Sequence, residues 1–150
     1  MLDYEKPQLI SISLRLKKRY HETRKRIADA RLARRTLKMV GGRLSAWVES
    51  GGHRMTYDSI DEILEELGLT SDELCFFCSK TFNKNFLTWR KDLRIEEAKQ
   101  TLLDYPDLPA YKVGHMVGIK DKSNFRHQFK AATGMTPGQW REKYSAKKSK

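Results

Sequence analysis

Residues 109–140 read PAYKVGHMVGIKDKSNFRHQFKAATGMTPGQW, and the two glycines that interrupt this run, Gly118 and Gly134, divide it into three helices. In the first, Val113, Met116 and Val117 stand at i, i+3 and i+4, the spacing that points side chains into a shared core. Gly118 breaks that helix. Asp121 or Ser123 can cap the next through a side-chain oxygen, and Phe125 and Phe129, four apart, predict its buried face. The opposite face carries Lys122, Ser123, Arg126, His127 and Lys130, each able to donate a hydrogen bond, on a helix narrow enough for a DNA major groove. Gly134 ends this helix, and Thr136-Pro137 restarts the chain with an N-cap followed by proline at the first helical position. A helix, a tight turn and a second helix held by a third is the layout of a helix-turn-helix.

Working outward, the same residues carry a resemblance. Val113, Gly118-Ile119, Asp121, Ser123, Phe125, Phe129-Lys130, Gly134, Thr136-Pro137 and Trp140-Arg141 resemble the signature of the AraC/XylS family of bacterial transcription regulators. Ile119 stands where the family usually has phenylalanine, and Trp140 where it usually has tyrosine; both are apolar replacements that a core can absorb. The resemblance covers about residues 44–144. It implies an all-α domain of two helix-turn-helix subdomains joined by a long linker helix. It also implies a DNA-binding transcription factor, an activator among the outcomes, with double-stranded DNA as partner. Ser123, Arg126 and His127 are then the first candidates for base edges, and Lys122, Lys130 and Thr136 for phosphates.

The chain has 150 residues, of which 33% are charged and 39% hydrophobic, enough for one domain with an appended segment. A net charge of +11 favours a polyanionic partner, nucleic acid first and an anionic membrane surface second. The charge is unevenly spread: residues 1–43 carry 13 Lys/Arg against 4 Asp/Glu, residues 44–73 carry 1 against 8, and residues 74–150 carry 16 against 7. No signal-peptide pattern and no apolar run long enough to cross a bilayer is present, so the cytoplasm is the expected compartment.

Residues 1–40 read as a basic extension. Residues 8–17, QLISISLRLK, alternate polar and apolar, the period of a strand. From Leu16 the period changes, with Leu16, Tyr20, Ile27, Ala30 and Leu37 close to a heptad spacing that Thr23 and Arg34 interrupt. A solvated helix, a dimerising or signal-relaying helix, and direct contact with DNA or membrane all fit this pattern. A homodimer through this helix is therefore one expectation.

Residues 41–146 read as the DNA-binding domain. Gly41-Gly42 and Gly51-Gly52 bracket a short helix with Leu44, Trp47 and Val48 inward. A second helix follows, capped by Asp58 or Ser59, with Ile60, Ile63, Leu64 and Leu67 as its buried stripe and Gly68 at its end. Thr70-Ser71 begins another, so about 58–82 repeats the layout found at about 109–133. In this first unit Cys78 takes the place of a core phenylalanine, a volume that Phe77 or Phe82 can fill. Asn83 takes the place of the glycine after the recognition helix, which asparagine tolerates. The exposed face offers Asp72, Cys75 and Phe76 to bases and Ser79 and Lys80 to phosphates. It is poor in arginine.

The linker, about 86–104, reads as one uninterrupted helix with Phe86, Trp89, Leu93, Ala98, Leu102 and Leu103 inward. Eighteen residues at about 1.5 Å each give roughly 27 Å. Successive major grooves lie about 34 Å apart, so such a helix can set two recognition helices into neighbouring grooves of a split site.

Other chemistries find little support. Cys75 and Cys78 form a C-x-x-C spacing, but no second Cys/His pair completes a four-ligand zinc site, and His115 and His127 stand alone. A redox motif should open a helix after a strand, whereas this pair lies inside an amphipathic helix. No catalytic constellation and no cofactor motif stands out. The alternatives to a sequence-specific regulator are an architectural or nonspecific nucleic-acid binder driven by the basic extension, and an interaction module of a larger sensor whose first unit binds a protein such as RNA polymerase.

Overall fold

The computed structural model describes residues 6–145, with side chains from residue 14 onward, and all regular structure among them is helical. In chain order these are α1 (Lys6–Glu49), a single 3-10 turn (Gly52–Arg54), α2 (Ile60–Leu67), α3 (Ser71–Phe82), α4 (Phe86–Asp104), α5 (Ala110–Met116), α6 (Lys122–Thr133) and α7 (Pro137–Ser145). Two compact units are present, Met1–Met39 and Val40–Lys150.

The first unit corrects the expected strand, because residues 8–17 are helical. A strand is stable only when paired, and no strand exists among the described residues to pair with it. Residues 8–40 contain neither glycine nor proline, and their many Leu, Lys and Arg residues favour a helix. Pro7 falls in the first turn, where its missing N–H costs nothing. Leu14, Leu16, Tyr20, Ile27 and Leu32 are all 49–66% exposed, so the heptad positions among them are not buried in a core among the described residues.

Gly41 and Gly42 do not start a new helix either: α1 runs through both. A Cβ on Gly41 would lie 3.2 Å from the Phe77 ring, so the glycine lets Phe77 of α3 pack closely on α1. Leu44 and Trp47 are buried as the spacing predicts, and Val48 is half-buried.

Local signals then set each boundary. Gly68 closes α2 at φ 61. Thr70 and Glu73 form a reciprocal capping box at the start of α3, with Glu73 N donating to Thr70 Oγ1 at 3.2 Å and Thr70 N to Glu73 Oε2 at 2.9 Å. These bonds to Thr70 hold the Glu73 carboxyl below its ordinary range. Asn83 ends α3 at φ 52. Asn85 caps α4 through Thr88 N at 2.8 Å. Asp121, rather than Ser123, caps α6, accepting from Asn124 N at 2.6 Å. Thr136 and Gln139 repeat the capping box at α7.

The core of the first helical pair includes Leu44, Trp47, Ile63, Leu67, Leu69, Leu74, Phe77, Cys78 and Phe86. Phe77 and Phe82 meet edge to face at 5.5 Å, and Phe82 stacks on Trp89 at 5.0 Å. The second core joins Ile95, Ala98 and Leu102 of α4 to Val113, Val117, Ile119, Phe125 and Phe129, with Trp140 packed against it. Thus α4 buries one surface against each pair. That is why its single predicted stripe missed Ile95, 1% exposed, and why Trp89, Leu93 and Leu103 are only half-buried. Met116 is a further correction: it is 49% exposed, because α5 ends at that residue and the chain turns away before its side chain is covered.

Candidate nucleic-acid interface

Phe125 and Phe129, 1% and 0% exposed, fix the rotation of α6 about its axis. The opposite face then follows from helix geometry, and Ser123, Arg126, His127 and Lys130 lie on it at i, i+3, i+4 and i+7, all exposed. Lys122 is also exposed, beside the start of the helix. In α3 the burial of Leu74, Phe77 and Cys78 leaves Asp72, Cys75, Phe76 and Ser79 in the same i, i+3, i+4, i+7 arrangement, with Lys80 next to it. Asp72, Cys75, Ser79 and Lys80 are exposed and Phe76 is half-buried. The two predicted sets are therefore two separate stripes, one per helix, of equal length and unequal charge.

The arginines of residues 40–145 separate structure from site. Arg43 donates to the carbonyls of Leu67 and Gly68. Arg54 pairs with Glu97. Arg90 and Arg94 both donate to His53 O, at 3.2 and 2.6 Å, and both reach Met55 O. Arg141 donates to Leu102 O at 3.1 Å, to Tyr105 O at 3.4 Å and to Leu108 O at 2.6 Å, which satisfies carbonyls at the end of α4. Arg126 alone of the six has no ion pair or hydrogen bond among the described residues. The carboxylate nearest in sequence, Asp121, is occupied at the α6 cap. Five of the six arginines are thus engaged within the domain, and Arg126 is exposed.

A concavity of 280 Å³ lies beside that residue, lined by Tyr111, Lys122, Phe125, Arg126, Thr136 and Gly138 among others. It brings together Lys122, Arg126 and Thr136, which the sequence placed in two different roles. Thr136 Oγ1 accepts from Gln139 N at 3.3 Å, and its proton remains available to an acceptor.

Cys75 and Cys78 lie in different surroundings. Cys75 is exposed and Cys78 buried, and burial, with a smaller contribution from Cys75, pushes the Cys78 thiol up to about 11, which keeps it protonated and unreactive. Among the described residues no group of three or more His, Cys, Asp or Glu could hold a metal ion, and no helix is long and apolar enough to cross a membrane.

Sequence reasoning missed the cluster formed by His53, Arg54, Arg90, Arg94 and Glu97. Nothing local to His53 signals that its partner Glu97 lies 44 positions away.

A family model described as a helix-turn-helix domain matches residues 63–143. The arabinose operon regulatory proteins of Salmonella typhimurium and Escherichia coli are each 32% identical over 82 residues, 55% of this chain. The chain spans only 29% and 28% of those two relatives. Among solved structures, a Listeria innocua protein of unknown function matches with a TM-score of 0.57 and 23% identity, over 69% of this chain and 94% of that one. The C-terminal domain of AraT, a response regulator from Geobacillus stearothermophilus, matches with a TM-score of 0.55 and 22% identity, over 74% and 84%. At these identities the two structures speak for the fold.

Proposed function

The chain belongs to the AraC/XylS family of helix-turn-helix transcription regulators, and from that premise we propose that it reads a split DNA site with α3 and α6 in neighbouring major grooves. Arg126 carries the reading: it is an exposed arginine without a partner among the described residues, on the face of α6 opposite Phe125 and Phe129, in a unit whose other arginines are all engaged. A guanidinium in that position suits the two acceptors on the guanine edge, with Ser123 and His127 beside it. Lys122 and Lys130 suit phosphates, and the concavity lined by Lys122 and Thr136 suits a phosphate oxygen near the start of α7. In α3, Cys75 and Phe76 suit thymine methyl groups and Asp72 a cytosine amino group, with Ser79 and Lys80 toward the backbone.

The exposed Leu16, Tyr20 and Ile27 leave a seam free for a second copy of the chain, which would place two such domains on one operator. A regulator of this kind would work in the cytoplasm. The basic first unit favours a second reading, nonspecific binding through charge alone, because residues 14–39 carry 11 Lys/Arg against two acidic residues.

Selection of bound duplexes from a random pool, followed by titration at two salt concentrations, separates the two. The proposal expects an enriched motif in two halves about one helical turn apart. Arg126→Ala should then cost about 1 to 3 kcal/mol on the selected site and little on random DNA, whereas Lys122→Ala or Lys130→Ala should weaken both and lower the salt slope by about one. Equal losses on selected and random DNA for Arg126→Ala would make it a phosphate contact and refute the assignment of the reading face.

A further inference from the structure

We propose that Gly52–Met55 is a latch that fixes the second helix-turn-helix pair relative to the first, with His53 and Glu97 as positioning residues for the two recognition helices. The consequence for DNA rests on the split-site reading; the geometry does not.

Three successive turns of α4 hold this short segment. Arg90 and Arg94 take the carbonyls of His53 and Met55. One turn further on, Glu97 Oε2 accepts from His53 Nε2 at 2.9 Å and from Arg54 Nε at 3.0 Å, and its other oxygen pairs with Arg54. Residues 90, 94 and 97 share one face of the helix, so α4 grips the segment along a line. The grip is directional, which the apolar cores on either side are not.

The segment's other side meets the second pair. At Gly118, φ is +87 and an added Cβ would lie 2.2 Å from Arg54 O and 2.9 Å from Arg54 Cα. This is backbone against backbone, in the turn between α5 and α6 and only four residues before Lys122 opens the recognition helix. Any movement of Arg54 is therefore passed to that turn. The first pair closes on the segment as well, because a Cβ on Gly52 would lie 2.2 Å from Trp47 Nε1, and Trp47 belongs to the first core.

His53 shows that this is not simply packing. At 4% exposed it is the one buried polar residue of the core, and its Nδ1 has no partner among the described residues. An apolar side chain of that size would cost less to bury. What the imidazole supplies, and an apolar group does not, is a bond of fixed direction to Glu97.

The test measures the separation of the recognition helices directly. Spin labels go on the native exposed thiol of Cys75 in α3 and on a cysteine introduced by Lys130→Cys in α6. The distance distribution is recorded in the full chain, and then with His53→Ala, Glu97→Ala and His53→Gln added. We expect a narrow distribution in the parent, a broadened or displaced one in both alanine variants, and recovery in His53→Gln, whose amide can still donate to Glu97. On DNA, His53→Ala should lower affinity for the full split site by about tenfold, as for a lost bond to a charged group, leave an isolated half-site unchanged, and widen the range of spacers tolerated. Unchanged distributions in both alanine variants, or a His53→Gln variant as broad as His53→Ala, overturn the latch. A parent protein that binds full and half sites equally overturns the split-site reading instead, and the distance measurement still decides the latch.

Discussion

Gly118 and Gly134 are both left-handed, at φ +87 and +76, but a Cβ at Gly134 would meet nothing within 4 Å, while one at Gly118 would lie 2.2 Å from Arg54 O. Replacing each by alanine therefore separates backbone strain from close approach. The conformational cost is shared, about 1 to 2 kcal/mol for a side chain in this region, reduced by about 0.4 to 1 kcal/mol because alanine restricts the unfolded chain. Gly134→Ala should accordingly lose about 1 kcal/mol. Gly118→Ala has a further cost, since real Cβ atoms essentially never approach within 3.0 Å of another heavy atom. The Arg54 backbone must retreat, yet Arg90 and Arg94 hold the carbonyls on either side of it. Overpacking of this kind typically costs about 1 to 3 kcal/mol, and breaking one of the arginine bonds would cost a similar amount. We expect Gly118→Ala to be less stable than Gly134→Ala by about 2 kcal/mol, read as the difference in urea midpoints at an unchanged m value. Equal losses in the two variants would refute the close approach of Arg54 and, with it, the contact through which the latch acts.

Other expectations follow from named contacts. Arg141→Ala should destabilise the domain by about 2 to 4 kcal/mol in denaturant titration, because it removes the side-chain donors to the carbonyls of Leu102 and Leu108, and Arg141→Lys should recover only part of this, since lysine cannot fork between them. Cys75→Ser with Cys78→Ala should keep DNA binding within about tenfold, the cost being a small packing defect at a fully buried site; stoichiometric zinc bound by the parent and lost in this variant would contradict it. Burial pulls the Glu97 carboxyl up, but hydrogen bonds and charge from Arg54 and His53 outweigh it and leave the group below its ordinary value. A lowered folded-state value contributes stability that is fully present above the unfolded value of about 4.3 and is lost as pH falls through the folded one. Melting temperature should therefore drop on acidification below about pH 5, and Glu97→Gln should flatten that part of the profile.

The elements easiest to foresee were those whose signals are local. Gly68, Asn83, Gly118 and Gly134 end or break helices where a left-handed residue is needed, and Thr70, Asp121 and Thr136 start them through their own side chains. Phe125 and Phe129 fixed a whole face because one core covers them. Signals that depend on distant partners were misread or missed. Alternation in residues 8–17 suggested a strand, but nothing in a ten-residue window says whether a partner strand exists. Ile95 was overlooked because α4 is buried on two surfaces and so shows no single stripe. Gly41 looked like a break, and only the approach of Phe77 shows why a glycine stands inside a helix there. The latch was invisible for the same reason, since His53 and Glu97 are 44 positions apart.

The unequal charge of the two stripes bears on how they would share a site. On α6, Arg126 and Lys130 lie in the stripe and Lys122 at its start, with the acidic neighbour Asp121 engaged at the helix cap. On α3, Lys80 shares the helix with Asp72 and Glu73, and α2 before it carries Asp61, Glu62, Glu65 and Glu66. Attraction to phosphate scales with the cations placed near it, so on the proposed split-site reading α6 would bind a half-site alone and α3 would not. A helix with little attraction of its own contributes only when it is delivered to its groove by a partner already bound, because the second contact is then intramolecular. That benefit exists only while the separation of the two helices matches the DNA, and it disappears if the link between them is loose. A weakly charged α3 therefore makes sense next to a rigid connection. The three α4 residues that grip Gly52–Met55, and the glycine that lets Arg54 touch the second turn, are what would allow so acidic a unit to read DNA at all.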